Sequence, residues 1–213
     1  MFKNLKIGTK LLVVGSSLIL IPLAVVGVLT VVSASEALTG KTEAEMESRA
    51  SELAGGINNV LHAELRFVDA LSHDQMLQSA VQSDADSNSV QKANQQIARL
   101  MDSSRIGASY DVLLLIGSDG TVVSASDQSY IGVDVSDRGY AVDALNGQAN
   151  VGTAGRNRVT GNPFIPIAAP VVGSDDRIVG AVAAIAKFDF VTNLVGESTI
   201  SETGYAYVVD ADG

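Results

Sequence analysis

The pattern of apolar and polar positions changes twice along this chain. The first stretch, Leu11–Val32, is twenty-two residues without a charge. At about 1.5 Å per residue such a run is long enough to cross a bilayer as a helix. Lys3, Lys6 and Lys10 precede it, and the first charge after it is Glu36. Basic residues on the short side hold that side in the cytoplasm. Residues 1–10 are therefore predicted to be a cytoplasmic leader, 11–32 a transmembrane helix, and everything from Ser33 exported. Pro22 falls mid-span, where a bilayer helix tolerates it. A cleaved signal peptide also starts basic and turns apolar, and Ser33-Ala34-Ser35 offers small residues for cleavage. Its apolar centre is usually shorter, about 7–15 residues. A buried core helix is the remaining reading.

From about Ser35 to Val81 the apolar positions become periodic. Met46, Ala50, Leu53, Ile57, Val60, Phe67 and Leu71 recur in steps of four and three, with Glu64 in the one skipped position. This heptad stripe predicts one long helix, a stalk within residues 33–106. Gly55-Gly56 weakens it locally, by about 1 kcal/mol per glycine. The stripe has two readings. Met46, Leu53, Ile57 and Val60 form the seam of a homodimer, or the same face packs on the chain's own sheet. Phe67, Val68 and Leu71 are expected on the chain's own core. His62 and His73 share this helix at about 16 Å separation along the axis, too far apart for one metal. A polar break over Ser83–Ser89 separates a second helix with Val90, Ala93, Ile97, Leu100 and Met101 on its apolar face. Asp84 and Asp86 lack calcium-loop spacing and read as helix-end and loop residues.

From Tyr110 the period shortens to that of strands. The segment VLLLIG, the turn Ser118-Asp119-Gly120 and Thr121–Ser124 read as an antiparallel hairpin. In the loop that follows, Tyr130 and Ile131 are expected to tuck inward. Ser136 is expected to cap a short helix, Asp137–Leu145, closed by Gly147. Strands at Val151–Val159, Phe164–Val172 and Ile178–Phe188 come next, then a connecting helix, Phe190–Ile200. The order predicts an α+β fold: a long helix packed on a five-stranded antiparallel sheet. That domain spans residues 107–189, with a connector over 190–203. Residues 204–213 repeat the entry to the first hairpin, YAYVVDADG beside VLLLIGSDG. They read as the first strand of a second, unfinished lobe, or as a strand completing another subunit's sheet.

Composition narrows the chemistry. There is no cysteine and there are two histidines, which leaves no thiolate or histidine-rich metal site. The net charge of −10 argues against nucleic acid, which needs a basic patch. Gly-x-Ser-x-Gly, phosphate-loop and His-Glu-x-x-His motifs are absent from the sequence. The chain reads as a non-enzyme, with no cofactor and no metal.

The leader MFKNLKIGTKL, the single span, the long exported helix and the runs YIGVDVSDRGY, VTGNPFIPIAAPV and IVGAVAAIAKFDF together resemble the start of a bacterial methyl-accepting chemotaxis receptor. More specifically they are similar to its double Cache sensor, two PAS-like sheets stacked on one long helix. The resemblance implies a sensor in the periplasm or extracellular space, anchored in the inner membrane. It implies a receptor that binds a small molecule and signals through a second span and cytoplasmic region outside these residues. The same sensor shape heads histidine kinases and diguanylate cyclases. An anchored assembly protein, using the helix and open sheet for subunit contacts, is the alternative of a different class.

The resemblance places Arg138 and Tyr140 toward a pocket in the membrane-distal lobe. Amino-acid-binding members carry a tryptophan directly before that tyrosine, where this chain has Gly139. Arg138 next to a helix start is suited to grip a carboxylate through two parallel hydrogen bonds. Arg156 and Arg158, two apart on one strand, share a face directed either into the pocket or out to water. Tyr130 and Phe164 are candidate walls, and Asp189 a candidate ammonium acceptor. The expected ligand is a small carboxylate or an amino acid. The structural alternative is that Arg138 pairs with Asp134 or Asp143 while Tyr140 fills core.

Overall fold

A single helix, α1 (Ile7–Ser72), carries the chain through Pro22 and Gly55-Gly56 without interruption. The computed structural model describes residues 7–82, 86–156, 161–196, 199–200 and 204–205. The chain divides into two compact units, Met1–Glu52 and Leu53–Gly213. Within the first, the apolar side chains stand out from the helix: Leu18 is 75% exposed and Val31 69%. An 18-residue window there has a mean hydropathy of 2.5, long and apolar enough to cross a membrane. The Thr30 hydroxyl bonds back to the Val26 carbonyl at 2.8 Å, so a polar group on this surface has its own partner.

The helix expected to run to Val81 ends nine residues earlier, and a separate helix, α2 (Gln75–Val81), follows. The cause is local. The Ser72 hydroxyl donates to the Asp69 carbonyl, and the His73 ring Nδ1 also lies 2.7 Å from that oxygen. Asp74 then accepts from the Met76 amide at 2.8 Å, the N-cap of a new helix. Helix α3 (Ser87–Met101) starts in the same way, with Asp86 accepting from both the amide and the hydroxyl of Ser89. Asp86 is thus the helix-end residue expected from its sequence; Asp84 lies outside the described residues. A short helix, α4 (Ser104–Ser109), leads into the sheet.

The strands are β1 (Tyr110–Gly117), β2 (Val122–Ala125), β3 (Asn150–Val151), β4 (Gly155–Arg156), β5 (Pro163–Val172) and β6 (Ile178–Lys187). Their order is β2-β1-β6-β5-β3, all antiparallel, with β4 also on β5. Five strand positions cross the sheet as expected, but the predicted strand Val151–Val159 is two short pieces. Proline explains the break. β3 pairs with Ile167 and Ala168, β4 with Pro163 and Phe164. Pro166 between them has no N–H to offer, and only its carbonyl is used, by the Gly152 amide at 2.8 Å.

Alternation along the central strands divides the core into two layers. Leu113, Leu115, Val182, Ala184, Ile165 and Ile167 face one side, where Val68 of α1, Leu77 and Val81 of α2, and Ala93 and Ile97 of α3 cover them. Phe67 and Leu71 join this layer, as their place in the stripe suggested, and so does Ile57. The skipped position is explained as well: the Tyr110 phenol donates to Glu64, and its ring stacks on Phe67 at 5.8 Å between centroids. The other face carries Val112, Leu114, Ile116, Ala168, Ala181, Ala183 and Ile185. Helix α5 (Gly139–Leu145) covers part of it through Ala141 and Ala144, both fully buried. Small residues on both sides bring that helix close to the sheet.

The connecting helix is shorter than expected. Helix α6 (Asp189–Gly196) packs Val191 and Val195 into the first layer. Two short segments, β7 (Thr199–Ile200) and β8 (Gly204–Tyr205), then pair antiparallel, where the sequence suggested continued helix as far as Ile200. The expected strand over 206–213 lies outside the described residues.

Tyr110 and Glu64 tie α1 to the start of the central strand, so their coupling is measurable. Tyr110→Phe should lower the stability of the full chain by about 1–3 kcal/mol, because Glu64 is left half-buried without its donor. Adding Glu64→Leu to Tyr110→Phe should recover part of that loss in thermal unfolding. Additive losses would show that the two side chains do not interact.

Candidate functional site

The cleft is built where α5 leaves the sheet uncovered. Its floor is Leu114 of β1, Ile185 of β6, and Phe164 and Pro166 of β5. In the ladder Val112, Ile185 and Pro166 lie side by side, so the floor is one apolar patch drawn from adjacent strands. The far wall is the edge of the sheet, with Thr153, Gly155 and Arg156, and the near wall is the loop before α5, with Tyr130, Val133, Asp134, Val135 and Arg138, together with Gly139 and Tyr140 at the start of α5. The volume of the cleft is about 570 Å³, in the range of small-molecule sites.

The near wall is held by backbone pairing. The Val122 amide donates to the Val133 carbonyl at 2.9 Å, the Gly132 amide to the Val122 carbonyl at 2.8 Å, and the Val135 amide to the Gly120 carbonyl at 2.9 Å. The loop thus covers the free edge of β2. Gly120 has φ +83, and a Cβ there would meet the Ser136 backbone at 2.8 Å, so both the turn and this contact require glycine. Ile131, expected to tuck inward, is 40% exposed, because pairing by Gly132 and Val133 turns it out; Tyr130 is half-buried against the core.

The same loop moves the start of the helix. Ser136 does not cap it. Its amide is taken by Asp134 Oδ1 at 2.8 Å, which keeps the chain turning, and α5 begins at Gly139 with Arg138 at the N-cap and no side-chain cap bond. Gly147 closes the helix at φ +92, as its sequence position suggested. Arg138 lines the cleft with its side chain 43% exposed, and its Nε lies 3.5 Å from Asp137, a neighbour that is 78% exposed. Asp137, rather than Asp134 or Asp143, is therefore its carboxylate neighbour. Tyr140 is half-buried at the cleft wall, and the Asn150 amide holds its carbonyl at 3.1 Å.

The electrostatics suit an anion. Burial pushes the Tyr140 phenol above its usual range, against the lowering influence of Arg138, so it stays a neutral O–H donor through neutral pH. A raised phenol pKa adds stability that is present below the ordinary tyrosine range and lost as alkaline pH passes the raised value. Hydrogen bonds from Ser136 hold the Asp134 carboxyl below its usual range, so it is charged at neutral pH.

Five of the seven candidate residues, Tyr130, Arg138, Tyr140, Arg156 and Phe164, meet in this cleft. Arg156 also bonds the Gly161 carbonyl at 3.3 Å. Arg158 lies outside the described residues. Asp189 is elsewhere: it starts α6, which packs on the opposite face, and it lines a smaller cavity of about 200 Å³ with Glu64, Tyr110, Lys187 and Asn193. Of the proposed seam, Met46 is 48% exposed, Leu53 is half-buried, Ile57 packs on the chain's own core and Val60 lines that smaller cavity. Sequence reasoning missed Leu114, Ile185 and Pro166 of the floor. Period-2 alternation puts Leu114 opposite in face to Leu113, but which face carries a cleft is set by where α5 crosses.

Comparison with known proteins places this geometry. The model of the Cache domain matches residues 34–213. Among solved structures, the sensor domain of the Vibrio cholerae histidine kinase DctB aligns with TM-score 0.61 and 19% identity, over 70% of this chain and 57% of that one. The ligand-binding domain of the Pseudomonas aeruginosa amino-acid chemoreceptor PctC, in complex with GABA, aligns with TM-score 0.57 and 20% identity, over 77% of this chain and 69% of that one. The domain of the Campylobacter jejuni chemoreceptor Tlp3, in complex with 4-methylisoleucine, gives 0.56 and 16%, over 69% and 59%. At these identities the likeness is one of fold. No curated protein sequence matches the chain.

Two glycines, Gly139 on the cleft wall and Gly152 at the end of β3, make contrasting tests. A Cβ on Gly152 would stand 2.9 Å from Pro166 Cγ and from Tyr140 Cβ, whereas one on Gly139 would meet nothing within 4 Å. Gly152→Ala should therefore cost about 1–3 kcal/mol in denaturant unfolding. Gly139→Ala should change stability little. Equal losses would contradict the tight packing of the edge strand under Tyr140.

Proposed function

The chain belongs to the Cache domain family, and on that premise we propose that it is the extracytoplasmic ligand-sensing part of a transmembrane chemoreceptor. It binds a small carboxylate-bearing molecule and passes the change to its stalk helix. One observation carries the proposal: Arg138, Arg156, Tyr140 and Tyr130 converge over an apolar floor in a cleft of ligand size. An arginine grips a carboxylate through two parallel bonds, and a protonated phenol beside it donates a further one. The GABA and 4-methylisoleucine in the fold relatives support a small ligand. A histidine kinase sensor is the second reading, supported by the likeness to DctB.

In this reading residues 1–10 are cytoplasmic, 11–32 span the inner membrane, 33–106 form stalk and covering helices, and 107–189 form the membrane-distal sensor. Residues 190–203 connect it to a second lobe that starts within 204–213. The exposed apolar surface of Leu18 to Val31 supports the span. The stalk pairs as a parallel homodimer, with Met46 and Leu53 the residues of the seam least committed to the chain's own core. Ile57 and Val60 are shared between the two packings.

Calorimetry on the full chain in nanodiscs, with a panel of amino acids and organic acids, tests the site. A ligand found in the panel should lose about 2 kcal/mol of binding free energy in Arg138→Ala. Unchanged affinity would refute the role of Arg138. Single cysteines test the seam. Those at 46 and 53 should cross-link between chains in membranes more readily than those at 48 and 55, and equal cross-linking would remove the pairing.

A further inference from the structure

We propose that the cleft selects a carboxylate borne on a compact apolar body and lacking an ammonium group, a branched or aromatic carboxylic acid, over the matching α-amino acid. The inference rests on the cleft being the ligand site, and it comes from the distribution of charge within it. The floor is apolar throughout, and its central residues are closed to water: Leu114 is 2% exposed and Ile185 7%. The cationic groups, Arg138 and Arg156, stand on the walls above that floor.

Among the described lining residues the only carboxylate is Asp134. It is exposed to solvent, and its Oδ1 already accepts the Ser136 amide at 2.8 Å. An ion pair with so exposed a carboxylate contributes little. Asp189, the acceptor the sequence offered for an ammonium, faces the smaller cavity across the sheet.

An α-amino acid carries its ammonium two bonds from its carboxylate. Once the carboxylate is on Arg138, the ammonium is held near a guanidinium and, over Ile185 and Leu114, loses part of its water without a buried anion lining the cleft to replace it. Tyr140 offers the ammonium no negative charge, since burial pushes its phenol above the usual range. Removing the ammonium removes both the repulsion and the desolvation, and leaves the apolar body to fill the floor. The absence of a side chain at Gly139, where a Cβ would meet nothing within 4 Å, leaves room for a branched or ring-bearing body.

The test uses the full chain in nanodiscs and matched pairs: leucine with 4-methylpentanoate, isoleucine with 3-methylpentanoate, and phenylalanine with 3-phenylpropanoate. The dissociation constant of each is measured by calorimetry on the wild type and on Arg138→Ala. In at least one pair the deaminated acid should bind tenfold or more tightly than its amino acid, and Arg138→Ala should weaken it at least tenfold. An amino acid binding as tightly as its partner, with the same dependence on Arg138, would overturn the class while leaving the cleft as the site. A deaminated acid whose affinity ignores Arg138→Ala would overturn the site itself. No binding by any of these compounds would overturn the selection proposed.

Discussion

The structure depends on one constraint: the central strands β1 and β6 are buried on both faces. Leu113 and Leu115 look to the helices, while Val112, Leu114 and Ile116 look to α5 and the cleft. A strand in that position reads as a continuous apolar run, as VLLLI does, and its alternating residues belong to two separate cores. The two faces are filled differently. On one, α1, α2 and α3 meet Leu, Ile and Val, with the smaller cavity of about 200 Å³ beside them. On the other, a seven-residue helix rests on alanines and stops short of the floor formed by Leu114, Ile185, Phe164 and Pro166. The cleft is what remains of a face too wide for its covering helix.

Its chemistry follows from the edges of that face. Arg138 and Tyr140 enter from the start of α5, Arg156 from the broken edge strand, and Tyr130 from the loop paired along β2. Each edge is set by a backbone requirement: Gly120 lets the loop lie against the hairpin turn, Gly152 lets β3 pass under Tyr140, and Pro166 splits the strand that brings Arg156 to the rim. Polar groups at the walls and apolar groups at the floor make a site that orients an anion by its charged end and holds its body by contact.

Much of this was legible in the residues. The uncharged span, the heptad stripe, the change to period two at Tyr110 and the Asp-Gly turn each correspond to an element. In the cleft, the family resemblance pointed to Arg138 and Tyr140 where spacing alone left Arg138 open to a surface ion pair, Tyr130 and Phe164 were candidate walls, and Arg156 was left facing either the pocket or water. What was not legible depended on competition between local hydrogen bonds. Asp74 ends a helix that the apolar stripe would have continued, and Asp134 forms a turn on the Ser136 amide, so that α5 starts at Gly139 with Arg138 rather than Ser136 at its N-cap. Asp189 could not be assigned to a face from sequence, since the chain leaves β6 just before it and α6 turns to the helical side. Glu64 looked like a gap in a seam and is a partner of Tyr110.

Hydrogen–deuterium exchange on the full chain, with and without its tightest-binding carboxylate, tests most directly whether a ligand occupies this cleft. Protection is expected in the loop from Tyr130 to Tyr140, in β4 and at the Phe164 end of β5, three segments that are separate in sequence and meet only around the cleft. Protection confined to the helical face around Glu64, Lys187 and Asp189, with the Tyr130–Tyr140 loop unchanged, would contradict it.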